Sequence, residues 1–429
     1  MSFPTHPLVR RFDLNLVFGA IALALAGQAQ ATTYEWIDGE YIAVGLPNPL
    51  GSGDVINATG SGSKSFGASV TNDGRFNWQS SGSTNFIGSN TLFRNNGIFD
   101  YSLDGWIRDL GTNNRFDNAG TLRKSGGAGD LLIDMQFTNR SGGVLDAASG
   151  NIRYLKTSTL EAGTVFAGTG RHEFDSTNTY TFGGPFVVAN DNLHFDRGIF
   201  VNAGSERLDP ATNLNWSGGT LQGKWGTAEG RTLFVTNGFE KNWVDDYTND
   251  GTVAWNSSDN TILRGTNTTF SNNGTFDYSL DGWIRDLGTN NRFDNAGTLR
   301  KSGGAGDLLI DMQFTNRSGG VLDAASGNIR YLKTSTLEAG TVFAGTGRHE
   351  FDSTNTYTFG GPFVVANNNL HFDRGVFVNA GSERLDPATN LNWSGGTLQG
   401  KWGTAEGRTL FVTNGFEKNW VDDYTNDGT

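Results

Sequence analysis

The chain has 429 residues, of which 61 are glycine, 30 phenylalanine and 11 tryptophan, with only 8 prolines and no cysteine. Plentiful aromatic residues exclude a disordered chain, the lack of cysteine excludes a disulfide scaffold, and many glycines with few prolines suit short strands joined by tight turns. A formal charge of −12 disfavours phosphate-bearing partners, so neither nucleic acid nor anionic lipid is expected to bind.

At the N-terminus Arg10 and Arg11 precede an apolar run from Leu16 to Ala26 and the small-residue stretch Ala29-Gln30-Ala31, the order of a secretory signal peptide over residues 1–31. That run is too short to cross a bilayer, and nothing downstream is apolar for long enough. The expectation is a secreted protein, extracellular or at the cell surface, with no membrane-spanning segment. Residues 32–70 contain Pro47 and Pro49, are rich in Gly and Ser, and differ from the repetitive sequence downstream; they read as an N-terminal cap over the first open strand edge.

Further along, the chain repeats itself. The string from Phe99 to Trp106 returns from Phe276 to Trp283, an offset of 177 that holds through Thr252 with two differences, Asp191 against Asn368 and Ile199 against Val376. Weaker matches such as Trp78 with Trp255 extend the units to 71–247 and 248–424, and residues 425–429 open a third. Within the unit, Phe93, Phe116, Phe137, Leu160, Phe182, Phe200 and Leu221 follow one another at intervals of 23, 21, 23, 22, 18 and 21, several trailed by turns such as Asn95-Asn96-Gly97 and Asn118-Ala119-Gly120. Helical periodicity is missing, whereas short strand-like pieces such as Thr121 to Lys124 and Asn151 to Leu155 are common.

These are the marks of an all-β, elongated parallel β-helix, or β-solenoid, with rungs of about 22 residues. One rung cannot bury its own apolar face, but stacking sets Phe on Phe and pairs each backbone edge with the next. The reading places Phe116, Phe137, Phe182 and Phe200 inside, confines helix to a few residues at the cap, and makes the long offset about eight rungs of roughly eighteen in all. Segments such as Phe116-Asp117-Asn118-Ala119-Gly120-Thr121-Leu122-Arg123-Lys124-Ser125-Gly126-Gly127 resemble the degenerate repeats of large secreted bacterial β-helix proteins, among them haemagglutinin-like adhesins and autotransporter passengers. The resemblance is one of strands and turns from about Thr71 onward. It implies the fold and a cell-surface setting, and carries over no catalytic residue.

Some β-helices are polysaccharide lyases or hydrolases, and these need carboxylates gathered on adjacent rungs. The densest such group is Asp100, Asp104 and Asp109 with Arg108, repeated as Asp277, Asp281, Asp286 and Arg285; exposed turn carboxylates are the competing reading. A metal site could form if stacking brought His172 and Asp175 together with His194 and Asp196, and likewise His349, Asp352, His371 and Asp373. Aligning Phe174 with Phe195 instead points the two histidines to opposite sides of the sheet. Eight tryptophans, Trp106, Trp216, Trp225, Trp243, Trp283, Trp393, Trp402 and Trp420, are candidates for stacking on sugar rings, against burial inside the coil. No cofactor is expected, since no nucleotide-binding fingerprint stands between a strand and a helix.

Together these features point to a structural or adhesive stalk, matrix component or surface adhesin that is not an enzyme, with a polysaccharide or cell-surface ligand as candidate partner. A carbohydrate-active β-helix enzyme is the alternative. Residues 425–429 open a rung without a polar cap, so the expectation is a fragment of a longer array, with head-to-tail self-association through that end as the alternative.

Overall fold

The computed structural model describes residues 31–387 and 389–429; the segment read as a signal peptide lies, apart from Ala31, outside the described residues. Among the described residues 49 strands follow one another, and none is helical. The few helical residues expected at the cap are turn instead. Most strands pair in parallel with the strand three places on, as where Arg115–Asn118 lies between Leu92–Asn95 and Gln136–Asn139. The chain is therefore a β-solenoid of about 18 coils, each about 22 residues long with three strand-bearing faces.

Face I begins with Gly39–Glu40, Lys64–Phe66, Thr84–Phe86, Gly105–Asp109 and Asp130–Asp134. Face II begins with Val70–Asn72, Leu92–Asn95, Arg115–Asn118 and Gln136–Asn139. Face III begins with Thr33–Trp36, Val55–Ala58, Arg75–Trp78, Ile98–Tyr101 and Thr121–Lys124. Residues 32–70 are thus built into the coil, and the Trp36 ring sits in its core, 5.3 Å from that of Phe66.

The strands are short because Gly and Asn interrupt them, and their side chains alternate between core and solvent. A fully buried aromatic side chain contributes about 2–3 kcal/mol, whereas ordering costs about 1–2 kcal/mol for each residue's backbone. A single coil with a few inward rings cannot meet that cost; neighbours on both sides must share it. The rings accordingly stack from coil to coil, as in Phe93 on Phe116 at 5.0 Å and Phe116 on Phe137 at 5.9 Å.

Corners carry the buried polar groups. At the corner between faces II and III, Asn72 donates to Asn95 at 2.6 Å, Asn95 to Asn118 at 2.7 Å and Asn118 to Asn139 at 2.7 Å. The ladder ends on Thr164 Oγ1 at 3.0 Å. Each inward amide is satisfied by the coil above and below, which is how polar atoms survive there. Beside this ladder the backbones approach so closely that a Cβ on Gly120 would lie 2.0 Å from the carbonyl oxygen of Gly97, so only glycine fits. At the corner after Thr121–Lys124, the buried Lys124 ammonium donates to Asp104 at 2.9 Å and to the Gly126 and Gly127 carbonyls at 2.5 and 3.1 Å.

Phe116, Phe137, Phe182 and Phe200 are all buried, as expected, but the column they were assigned to slips twice. The residues facing one another along face II are Phe93, Phe116, Phe137, Ser158, Tyr180, Phe200 and Leu221. Leu160 and Phe182 form a neighbouring column two positions along the strand. A two-residue slip keeps the same side of a strand, so both columns point inward.

A larger correction concerns the duplication. Trp106 faces Leu132, and the same line continues through Arg153, Glu173, His194, Asn215, Phe234 and Ala254 to Asp277, eight coils on. Its copy Trp283 is not on that line. It lies on the next strand, Gly282–Asp286, which pairs with Thr261–Leu263 of face II. The duplicated unit therefore spans eight coils and one further face. The copied asparagine ladder, Asn249 to Asn272, Asn295 and Asn316, is correspondingly one corner further round.

Candidate functional site

On face I the outward line from Trp106 to Phe234 runs through aromatic, apolar, charged and amide side chains in successive coils. Trp106 and Leu132 stand at one end and Phe234, 40 % exposed, at the other. Between them lie Arg153, Glu173, His194 and Asn215, opposite one another in successive strands. The strand alternation that buries Ile152, Phe174, Phe195 and Trp216 turns these four outward. Beyond Phe234 the outward residue is Ala254, whose methyl group leaves an open hollow of about 490 Å³ lined by Phe234, Thr236, Asn256 and Asp277.

Arg153 is the fixed point of the line. Its Nη1 is 3.1 Å from Asp130, its Nε is 3.0 Å from Glu173, and its Nη2 bonds Asp175. Partial burial, together with the charge of Asp196, pushes the Glu173 carboxyl above its usual range, although Arg153 opposes the shift. Burial likewise pushes His194 down, against the pull of Asp196, so at neutral pH the imidazole is an uncharged donor and acceptor. The line thus offers an aromatic platform at each end and, between them, hydrogen-bonding groups whose charges are largely balanced in place. Successive coils space these groups about 4.8 Å apart. The second unit repeats it on face II as Trp283, Leu309, Arg330, Glu350, His371, Asn392 and Phe411.

The proposed tryptophan set is largely corrected. Trp216, Trp225, Trp243, Trp393 and Trp402 are inside the coil; Trp216, for instance, donates its Nε1 to the Gly218 carbonyl at 2.9 Å. Trp420 is exposed because no strand of the described chain stacks on it, while its copy Trp243 is covered by Trp255 and Phe270. Only Trp106 and Trp283 present indoles on the outward side of a face, and the Arg285 guanidinium lies 5.1 Å above the Trp283 ring.

The metal grouping is also corrected. His172 pairs with Leu193, and it is Glu173 that pairs with His194, so the two imidazoles lie on opposite sides of the sheet. His172 is fully buried, with Nε2 2.9 Å from the Ala167 carbonyl, and His349 repeats this against Ala344. Asp175 is bonded to Arg153, and Asp196 accepts from Ser217 at 2.7 Å. In the copy, Asp352 is bonded to Arg330 and Asp373 accepts from Ser394, while His371 faces outward beside Glu350. Among the described residues no group of three or more His, Asp or Glu is arranged to hold a metal ion.

The carboxylates Asp100, Asp104 and Asp109 are likewise dispersed. Asp100 pairs with Arg75 at 2.6 Å, Asp104 with Lys124, and Asp109 accepts from Gly111 N at 2.8 Å and from the Asn114 amide at 2.6 Å. The Lys124 hydrogen bond holds Asp104 below the usual carboxylate range, which suits a structural lock rather than a proton donor.

Arg153, Glu173, Asn215 and Phe234 were not singled out by sequence reasoning. Their signal was a spacing of about 20 residues, which becomes readable only once the register of the coils is known. No family model matches the chain, and no curated protein or solved structure matches it either.

Proposed function

We propose that this chain is a rod-shaped structural or adhesive protein of the cell exterior that holds neutral linear carbohydrate along the line from Trp106 to Phe234 and along its copy. The observation that supports this is the line itself: two aromatic platforms about six coils apart, with Arg153, Glu173, His194 and Asn215 between them. Charge supports a neutral ligand. Arg153 is enclosed by three carboxylates and the whole chain carries −12, which repels a polyanion. The apolar run after Arg10 and Arg11 supports export, and repetition of the unit suits a rod more than a catalytic cleft.

The test is a panel of soluble neutral glucans, mannans, xylans and galactans, assayed for binding and for chain cleavage. Binding without cleavage is expected, and the double substitution Trp106→Ala with Trp283→Ala should weaken it by about tenfold or more, which corresponds to about 1.4 kcal/mol. Cleavage that stops on Glu173→Gln with Glu350→Gln would replace this reading by the enzyme alternative. Exterior location is tested by expression in a bacterial host, where a product starting near Thr32 outside the cytoplasm is expected and a full-length product retained inside would count against export.

A further inference from the structure

The two outward lines do not look the same way. Face I carries the first, and its continuation past Phe234 presents Ala254, Asp277, Arg300 and Asp323, with no second aromatic platform. Face II presents Thr220 and Asn242 outward before the second line opens at Trp283. Each line is therefore alone on its face, and the two faces are neighbouring faces of a three-faced coil. Hydrogen-bonded ladders run unbroken along both faces between the two lines, so no hinge is available to bring them onto one plane.

We propose that the rod is a divalent cross-linker of neutral linear carbohydrate, with its two equivalent lines gripping separate chains on different sides of the rod. The proposal rests on the carbohydrate reading above and adds that the copies do not reinforce each other on one flat surface. Had the unit spanned a whole number of coils, both lines would lie along one face and bind a single layer with the multiplied affinity of a linked pair. The additional face converts that arrangement into a bridge. Chain geometry alone dictates it: the offset from Trp106 to Trp283 carries each residue eight coils along the axis and one face around it.

The test uses residues 32–429 and beads coated with the best-held glycan of the panel. The unsubstituted protein should clump the beads. Trp106→Ala and Trp283→Ala should each still coat beads yet no longer clump them, and the double variant should do neither. Clumping that survives both single substitutions would overturn the proposal. So would beads that are coated but never clumped, with affinity falling about a hundredfold on either single substitution, because that is the loss of a linked pair on one surface. A second arm needs no carbohydrate and exploits the absence of cysteine. Trp106→Cys with Trp283→Cys, labelled with short-linker biotin, should clump streptavidin beads, whereas Trp106→Cys with Asp277→Cys, on one face eight coils apart, should settle on single beads. Equal behaviour of the two pairs would overturn the offset. Clumping by the first pair alone, with no glycan of the panel bound, would overturn the carbohydrate reading and leave the offset standing.

Discussion

Trp243 and Trp420 are the same residue in two nearly identical units, yet one is 1 % exposed and the other 53 %. On their N-terminal side the surroundings agree: Trp243 lies 4.8 Å from Trp216, and Trp420 lies 4.9 Å from Trp393. They differ on the other side, where Trp255 and Phe270 cover Trp243 at 5.8 and 5.3 Å. Lys124 and Lys301 show the opposite outcome, both fully buried and bonded to Asp104 at 2.9 Å and Asp281 at 2.8 Å. Burial in this molecule is therefore a property of adjacent coils and not of the residue. Where both neighbours are copied, the environment is copied to within about a tenth of an ångström.

The widest separation between the copies should come from the tryptophans. Trp243→Ala is expected to cost about 3–5 kcal/mol, as for other large buried rings, and Trp420→Ala under about 1 kcal/mol, as for an exposed position. Hydrogen exchange of the flanking strands, with urea midpoints, measures both, and similar losses would mean that Trp420 is covered in solution. The lysines should instead be indistinguishable. Lys124→Met and Lys301→Met each strip the donor from two carbonyls and a half-exposed aspartate, for about 2–3 kcal/mol apiece. A difference of more than about 1 kcal/mol between them would show that the one-face rotation does alter the corner.

The asparagine ladders sharpen the same point on a smaller scale. Asn118→Ala removes one of the two acceptors of the Asn95 amide, which keeps only the Thr121 carbonyl, and strips Asn139 of its donor; Asn295→Ala does the same to Asn272, which keeps the Thr298 carbonyl, and to Asn316. Each should cost about 2 kcal/mol, and a cost confined to one copy would mean that the corners are not equivalent. The most gradual expected effect is on pH dependence. Burial pushes His172 and His349 down to about 4 from the ordinary value of 6.5, so between those values the unfolded chain binds more protons than the folded one. Their contribution is complete above about pH 6.5 and is lost as pH falls towards 4, at about 1 kcal/mol per pH unit for each histidine midway through that window. His172→Asn and His349→Asn should each remove the same share of that slope in acid-dependent urea titrations. A slope unchanged by both would show the imidazoles reach water.

Much of the molecule was legible from its residues alone. Near-identity at the long offset, the interval of about 22, and the Phe and Asn-Gly pattern determined an all-β coil with Phe116, Phe137, Phe182 and Phe200 inside, because short alternating strands have no other way to bury that many rings. Three things waited for the tertiary structure. Which inward residues form one column could not be read, since a strand has a period of two and slips of two residues, as at Leu160 and Phe182, leave the pattern unchanged. Which tryptophans face out could not be read either, because an indole is both apolar enough for the core and polar enough for a surface; only pairing with Leu132 and Leu309 placed Trp106 and Trp283 outside. Finally, the length of the unit does not reveal where a copy points. The strands from His172 to Phe182 and from Leu193 to Asn202 each run unbroken across two faces, so counting strands or residues misstates the number of faces. The hydrogen-bonded register alone decides that the second copy begins one face further round.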